Sequence, residues 1–220
     1  MDTSDWLVNN EGQRQPLTAA PLKTPSKKGF LAQSKTQKNK NNSSKPYRLY
    51  RFLTDLETIL DDIKDEQKRL QTIGPLVRKL LDRSPWLQTY YMPPPADPGW
   101  SVFTLYEEPD FPLAIQIVAW LPNHVSPVHN HGGWGLVALL SGAEKNTFWR
   151  RTPTPESPYR IEEVDTYTLS PGEIITFLPD AIHCVEPLGD EPAITFNIYG
   201  EANATERFEF DPINHSARHF

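Results

Sequence analysis

From Trp100 to Tyr199 the chain is written in short runs of β-branched and aromatic residues, broken roughly every 8 to 12 positions by Pro, Gly, Asn or Asp. That rhythm restricts the region to a sandwich or a barrel. The spacing predicts strands over Val102–Glu107, Leu113–Leu121, Ser126–His131, Gly135–Ser141, Glu144–Arg151, Tyr159–Leu169, Ile174–Leu178, His183–Glu186 and Ile194–Tyr199. About eight or nine short strands suit an all-β jelly roll. No repeat of about 20 to 50 residues points to a propeller or solenoid.

Upstream, the pattern changes twice. Residues 1–45 are rich in Lys, Asn, Gln, Ser and Thr, with little to bury, and read as a disordered basic tail. Residues 46–92 read as a helical segment packing on the barrel. Phe52, Leu56, Ile59 and Ile63 recur at the spacing of one helical face. Thr54 and Glu57 could form a capping box there, if the helix does not begin at Pro46. Gly74-Pro75 reads as a stop and restart, with Leu76, Val77, Leu80 and Leu81 on a second short helix ending before Pro85. Met92–Gly99, with five Pro or Gly, is a rigid connector. The barrel is expected over 93–211, and 212–220 as a frayed tail.

Composition narrows the chemistry. The single cysteine, Cys184, excludes an internal disulfide and a Cys-rich zinc cluster, so a metal site must use His, Asp or Glu. Residues 1–46 carry eight Lys or Arg against three acids, leaving 14 bases against 25 acids beyond. An acidic folded part repels phosphate backbones and argues against nucleic acid. No apolar run approaches the ~20 residues that span a bilayer. The N-terminus also lacks a secretory pattern, so a cytoplasmic protein is expected.

The most informative segment is Pro127-Val-His-Asn-His-Gly-Gly-Trp-Gly135. Residues i and i+2 of a strand share a face, so His129 and His131 point into one cavity. His183 follows a Pro171-Gly172 turn, an apolar strand and Pro179, and a barrel could bring it opposite that pair. A His-x-His pair alone occurs in many proteins without a metal. Its combination with Trp120, Gly142 and the Pro-Gly…Pro…His segment is far more specific.

These residues, with Leu105-Tyr106, Trp120-Leu121-Pro122, Gly142-Ala143-Glu144 and Tyr199-Gly200, make residues 100–199 resemble the cysteine dioxygenase-like branch of the cupins, nearer the 3-mercaptopropionate dioxygenase type. The resemblance implies one iron(II) on His129, His131 and His183, a small thiol substrate, dioxygen as oxidant and a sulfinic acid product. Many cupins place a Glu three or four residues after the second histidine; Trp134 and Gly135 stand there, so the ligand set is neutral. Three neutral imidazoles leave the ion its full charge and open positions for an anionic thiolate and dioxygen.

Related enzymes carry Ser, His and Tyr on alternate positions of the last core strand; the matching residues are Thr195, Asn197 and Tyr199. Asn197 removes a titratable group from that row, and Tyr199 is the hydroxyl expected beside substrate or oxygen. Cysteine-specific members place an arginine on an early strand, where Phe103 stands here. The mercaptopropionate type supplies one after the tyrosine, and Arg207 is the candidate for a substrate carboxylate. Trp134 is either pocket wall or core filler. With Gly135 in the region where mammalian-type enzymes carry a crosslinked cysteine, no crosslink to Tyr199 is expected. Cys184 is expected as a buried structural thiol facing away from the metal. His124, His215 and His219 read as solvated. A monomer, with no nucleic-acid or membrane partner, is expected. The rival readings are a cupin metalloenzyme of other chemistry (an isomerase or a carbon-substrate dioxygenase) and a non-catalytic binding cupin.

Overall fold

The computed structural model describes residues 4–19, 46–89 and 91–219. Strands β1 (Asp5–Val8) and β2 (Arg14–Pro16) form a hairpin, followed by helices α1 (Leu49–Asp62) and α2 (Glu66–Arg83). Then come β3 (Trp100–Glu108), β4 (Phe111–Trp120), β5 (Val128–Asn130), β6 (Gly135–Ser141), β7 (Ala143–Arg151) and β8 (Ile161–Leu169). β9 (Ile174–Phe177), β10 (Ile182–Leu188), β11 (Ala193–Tyr199), β12 (Phe208–Asp211) and β13 (Ser216–His219) complete the chain.

Two sheets result, ordered β2-β1-β9-β6-β11-β4-β3 and β13-β12-β5-β10-β7-β8. Of the eight strands β4 to β11, the first, eighth, third and sixth lie together in one sheet, and the second, seventh, fourth and fifth in the other. That alternation is the double-stranded β-helix, so the fold is a cupin-type jelly roll carrying two N-terminal helices. All nine strands read from the sequence are present, with ends moved by a few residues.

The helices cover the outer face of the seven-stranded sheet. Phe52 and Leu56 of α1, with Leu70, Ile73, Val77 and Leu80 of α2, share a core with Ile115, Ile117, Ile194, Phe196 and Ile198. A second cluster, including Val137, Leu139, Phe148, Leu169 and Phe177, fills one end of the barrel interior.

Several expectations need correction. α2 runs unbroken through Gly74-Pro75. The interior proline costs about 3 kcal/mol, but the buried row on either side holds the helix to the sheet at about 1.5–3 kcal/mol for each large side chain. Gly74 sits under Leu17: a Cβ there would lie 2.7 Å from Leu17 Cδ2, and that side chain would have to move aside. Asp65 caps α2 by accepting from Lys68 N at 2.8 Å. Thr54 lies inside α1, its hydroxyl donating to the Tyr50 carbonyl at 3.1 Å, and caps nothing.

The basic N-terminal stretch is not uniformly unstructured, because β1 pairs in parallel with β9 and buries Leu7 and Val8. Residues 20–45 of that expected tail lie outside the described residues. The C-terminal stretch is an extra hairpin, β12–β13, rather than a frayed end. His219 stacks on Phe208 with ring centroids 4.3 Å apart yet remains exposed, as expected, whereas His215 is half-buried. His124 is half-buried too, its ring packed over Gly99. Among the described residues no helix is long and apolar enough to cross a membrane.

Candidate metal centre

His129 lies on β5 and His131 just beyond its end, while His183 is the second residue of β10. β5 and β10 pair with His183 directly opposite His129, so the sheet register brings the third imidazole to the first two. Their candidate ligand atoms all lie within 4.8 Å of one another. Nε2 of His131 and Nε2 of His183 are 2.9 Å apart. Neighbouring donors on an octahedral ion with bonds of about 2.1 Å stand about 3.0 Å apart, so this pair already has nearly that spacing. No Asp, Glu or Cys belongs to the cluster among the described residues.

Each imidazole is kept neutral, with a lone pair to offer. Burial pushes the His131 and His183 pKa values well below the usual histidine value, and neighbouring histidine charge adds to this. His129 is lowered by burial and by the nearby Arg207 charge, against a raising contribution from the Pro127 carbonyl. That carbonyl lies 2.9 Å from His129 Nδ1 and can only accept, so Nδ1 carries the proton and the ring's lone pair lies on Nε2.

Between the two histidines, Asn130 points the other way and is buried. Its amide donates to the Glu206 carbonyl at 2.7 Å and accepts from Phe208 N at 2.8 Å, bracketing Arg207. The glycines after His131 let the same segment dock. Gly132 has φ +63° and lies against Arg207, and a Cβ on Gly133 would sit 2.2 Å from the Glu201 carbonyl oxygen. Thus the His-Asn-His-Gly-Gly sequence supplies two members of the histidine cluster and also holds Arg207 beside it. The Arg207 charge acts on His129, His131 and Tyr199, and the side chain lines the same cavity.

That cavity, about 1010 Å³, also reaches Thr195, Asn197, Tyr199, Trp134, Gln116, Val118 and Trp120. The row expected on β11 is present as a hydrogen-bonded chain. Tyr199 OH donates to Asn197 Oδ1 at 3.3 Å, and Asn197 Nδ2 donates to Thr195 Oγ1 at 2.9 Å and to the Thr195 carbonyl at 3.2 Å. The Tyr199 ring lies 4.8 Å from that of His131, centroid to centroid. Burial, then the Glu144 charge, raises its pKa, so Tyr199 stays an O–H donor.

Trp134 is both wall and filler: it lines the cavity and belongs to the core under the helices. Phe103 packs toward that core, whereas its neighbour Val102 faces the cavity. Cys184 is half-buried rather than fully buried, and burial raises its pKa. Strand alternation places it on the face opposite His183.

Two cavity residues were given no role from the sequence, although Glu144 belongs to the Gly142-Ala143-Glu144 segment of the resemblance. Glu144 and Asn146 lie on the inward face of β7, and both are buried. Asn146 Oδ1 is 3.3 Å from His183 Nδ1, and Asn146 Nδ2 donates to Glu144 Oε1 at 3.0 Å. Burial pushes the Glu144 pKa up to about 7, against the lowering effect of the Asn146 hydrogen bond. The signal available was two polar residues at i and i+2 on the strand face that continues to the core residue Phe148.

No family model matches the chain. Solved structures with a similar fold include a Klebsiella pneumoniae protein with a double-stranded β-helix domain, 17% identical, with TM-score 0.39, 54% of this chain and 89% of that one covered. A cupin superfamily protein of Desulfitobacterium hafniense is 14% identical, with TM-score 0.36, covering 46% of this chain and 77% of that one. The Schizosaccharomyces pombe Cnp3 cupin domain is 12% identical, with TM-score 0.37 and 46% of this chain covered; the chain spans 61% of that domain's length. Scores at this level add nothing to the strand order, which by itself establishes the fold.

Proposed function

We propose that this chain is a mononuclear non-haem iron dioxygenase that oxidises a small thiol of the cysteine or 3-mercaptopropionate type. Thiol and O2 would give the sulfinic acid, with both oxygen atoms ending on sulfur. The observation that carries this reading is the composition of the cluster: three imidazoles held neutral, no carboxylate among them, and Arg207 alongside. Iron(II) held by His129, His131 and His183 would relay electrons from the thiolate sulfur to dioxygen, the sulfur being oxidised and the oxygen reduced. An uncompensated dication suits an anionic thiolate, which a carboxylate ligand would oppose.

The remaining roles fall to the chain's own groups. Arg207 takes the carboxylate of a thiol acid through its planar fork. Tyr199, kept protonated and donating to Asn197, would turn that O–H toward bound substrate. Trp134 limits water on one wall.

The test is oxygen uptake by iron-loaded protein with cysteine, 3-mercaptopropionate, mercaptosuccinate and cysteamine, with the product identified by mass. Turnover to a sulfinate is expected with at least one; uptake with none of the four would overturn the reading. Arg207→Ala should raise KM for a thiol acid roughly tenfold to a hundredfold, about 1.4–2.8 kcal/mol, and leave cysteamine unaffected. One observation favours a second reading: Glu144, a buried carboxyl whose pKa is near 7, suits proton transfer on a carbon substrate. Turnover without oxygen by protein loaded with zinc, nickel or manganese would support that alternative.

A further inference from the structure

The fixed direction of hydrogen bonding along Glu144, Asn146 and His183 points to a tautomer lock: we propose that Glu144 is a positioning residue whose carboxylate, acting through the Asn146 amide, keeps the His183 proton on Nδ1 and leaves Nε2 as the metal donor. This rests on the reading of His183 as a ligand.

The argument begins with what each group can do. An asparagine amide has one accepting and one donating end, and its orientation is decided by its neighbours. Glu144, when ionised, can only accept. Asn146 must therefore turn Nδ2 toward Glu144, and the 3.0 Å contact is of that kind. Its Oδ1 is left facing His183 Nδ1 at 3.3 Å. An oxygen there can only accept, so the ring carries its proton on Nδ1.

The opposite ring nitrogen, Nε2, is the one lying 2.9 Å from His131 Nε2. It is the atom that must have a free lone pair. Without the carboxylate the amide could turn over, donate to Nδ1 and drive the proton onto Nε2, which would block the donor. His129 reaches the same tautomer by a different device, the Pro127 carbonyl. His183 has no such carbonyl contact among its described hydrogen bonds, and the two side chains of β7 take its place. All three groups of the relay are buried, so water competes little for these bonds.

A side-chain exchange tests the direction of the chain rather than its bulk. Glu144→Gln keeps the volume but can donate as well as accept, so the polarity is no longer forced. In the full-length metal-free protein at about pH 8, above the Glu144 range, histidine nitrogen NMR shifts should change from Nδ1–H for His183 to a mixture. Cobalt(II) affinity should fall roughly tenfold to a hundredfold. The double variant Glu144→Gln with Asn146→Asp puts an acceptor-only group beside His183 and a donor behind it, and should restore both the tautomer and most of the affinity. A single variant that keeps pure Nδ1–H, or a double variant no better than the single, would overturn the lock. If the wild type binds no cobalt, yet the tautomer changes and is rescued as described, the lock stands and the three-histidine metal reading falls.

Discussion

The two faces of the seven-stranded sheet are made by the same strands and do opposite work. On β11, Ile194, Phe196 and Ile198 enter the core beneath the helices, while Thr195, Asn197 and Tyr199 face the cavity. β4 repeats the division, with Leu113, Ile115, Ile117 and Ala119 outward against Ala114, Gln116, Val118 and Trp120 inward. Helices on the outer face supply the burial, so the inner face is free to carry polar groups in a hydrogen-bonded row. Neighbouring residues can then be altered with effects of different kinds.

The sharpest break in this division comes from Phe196, fully buried and in edge contact with Phe52 at 6.4 Å. Phe196→Ala should cost about 3–5 kcal/mol in chemical denaturation, while metal bound per folded molecule stays unchanged. A loss of metal stoichiometry in the folded fraction would mean the two faces are coupled.

Glu144 should show the reverse, a stability cost created by the site. Its carboxyl holds a proton to about pH 7 when folded but only to about 4.5 when unfolded. The folded chain therefore binds the extra proton between those values, and stability falls as pH rises through them, by about 3 kcal/mol in all. The buried histidines act oppositely, losing stability as pH falls below 6.5. The difference between the stability curves of the metal-free wild type and Glu144→Gln should grow from pH 4.5 to 7 and then level off. A flat difference would show that Glu144 titrates normally.

The smallest effect is expected at Thr195, adjacent to Phe196. Thr195→Val removes one acceptor for Asn197, but the Thr195 carbonyl remains at 3.2 Å. The cost should be about 1 kcal/mol by thermal melting, with the larger consequence in the pH profile of turnover through Tyr199.

The sequence made much of this legible where one physical signal dominated. The strands between 100 and 199 have strong turn residues at both ends, and the His129, His131 and His183 spacing survives the folding of the barrel because β5 and β10 are adjacent. What was missed depended on distant partners. Trp6, Leu7 and Val8 are too few to announce a strand, and become one because β9 offers them an edge. Gly74-Pro75 has the chemistry of a break, and packing overrides it. The Phe208-Glu-Phe210-Asp alternation did carry a strand signal, which the polar surroundings concealed. Glu144 and Asn146 gain meaning only when His183 is seen across the β7–β10 pair.

The meeting of β1 with β9 has a consequence for biosynthesis. The register joins Asp5 to Ile174 and Val8 to Phe177. As the ribosome delivers the polypeptide, β1 must wait for its partner until every strand from β2 to β8 and both helices have been translated. Such distant pairing belongs to slow folding. Until it forms, β9 presents an open border to other nascent chains.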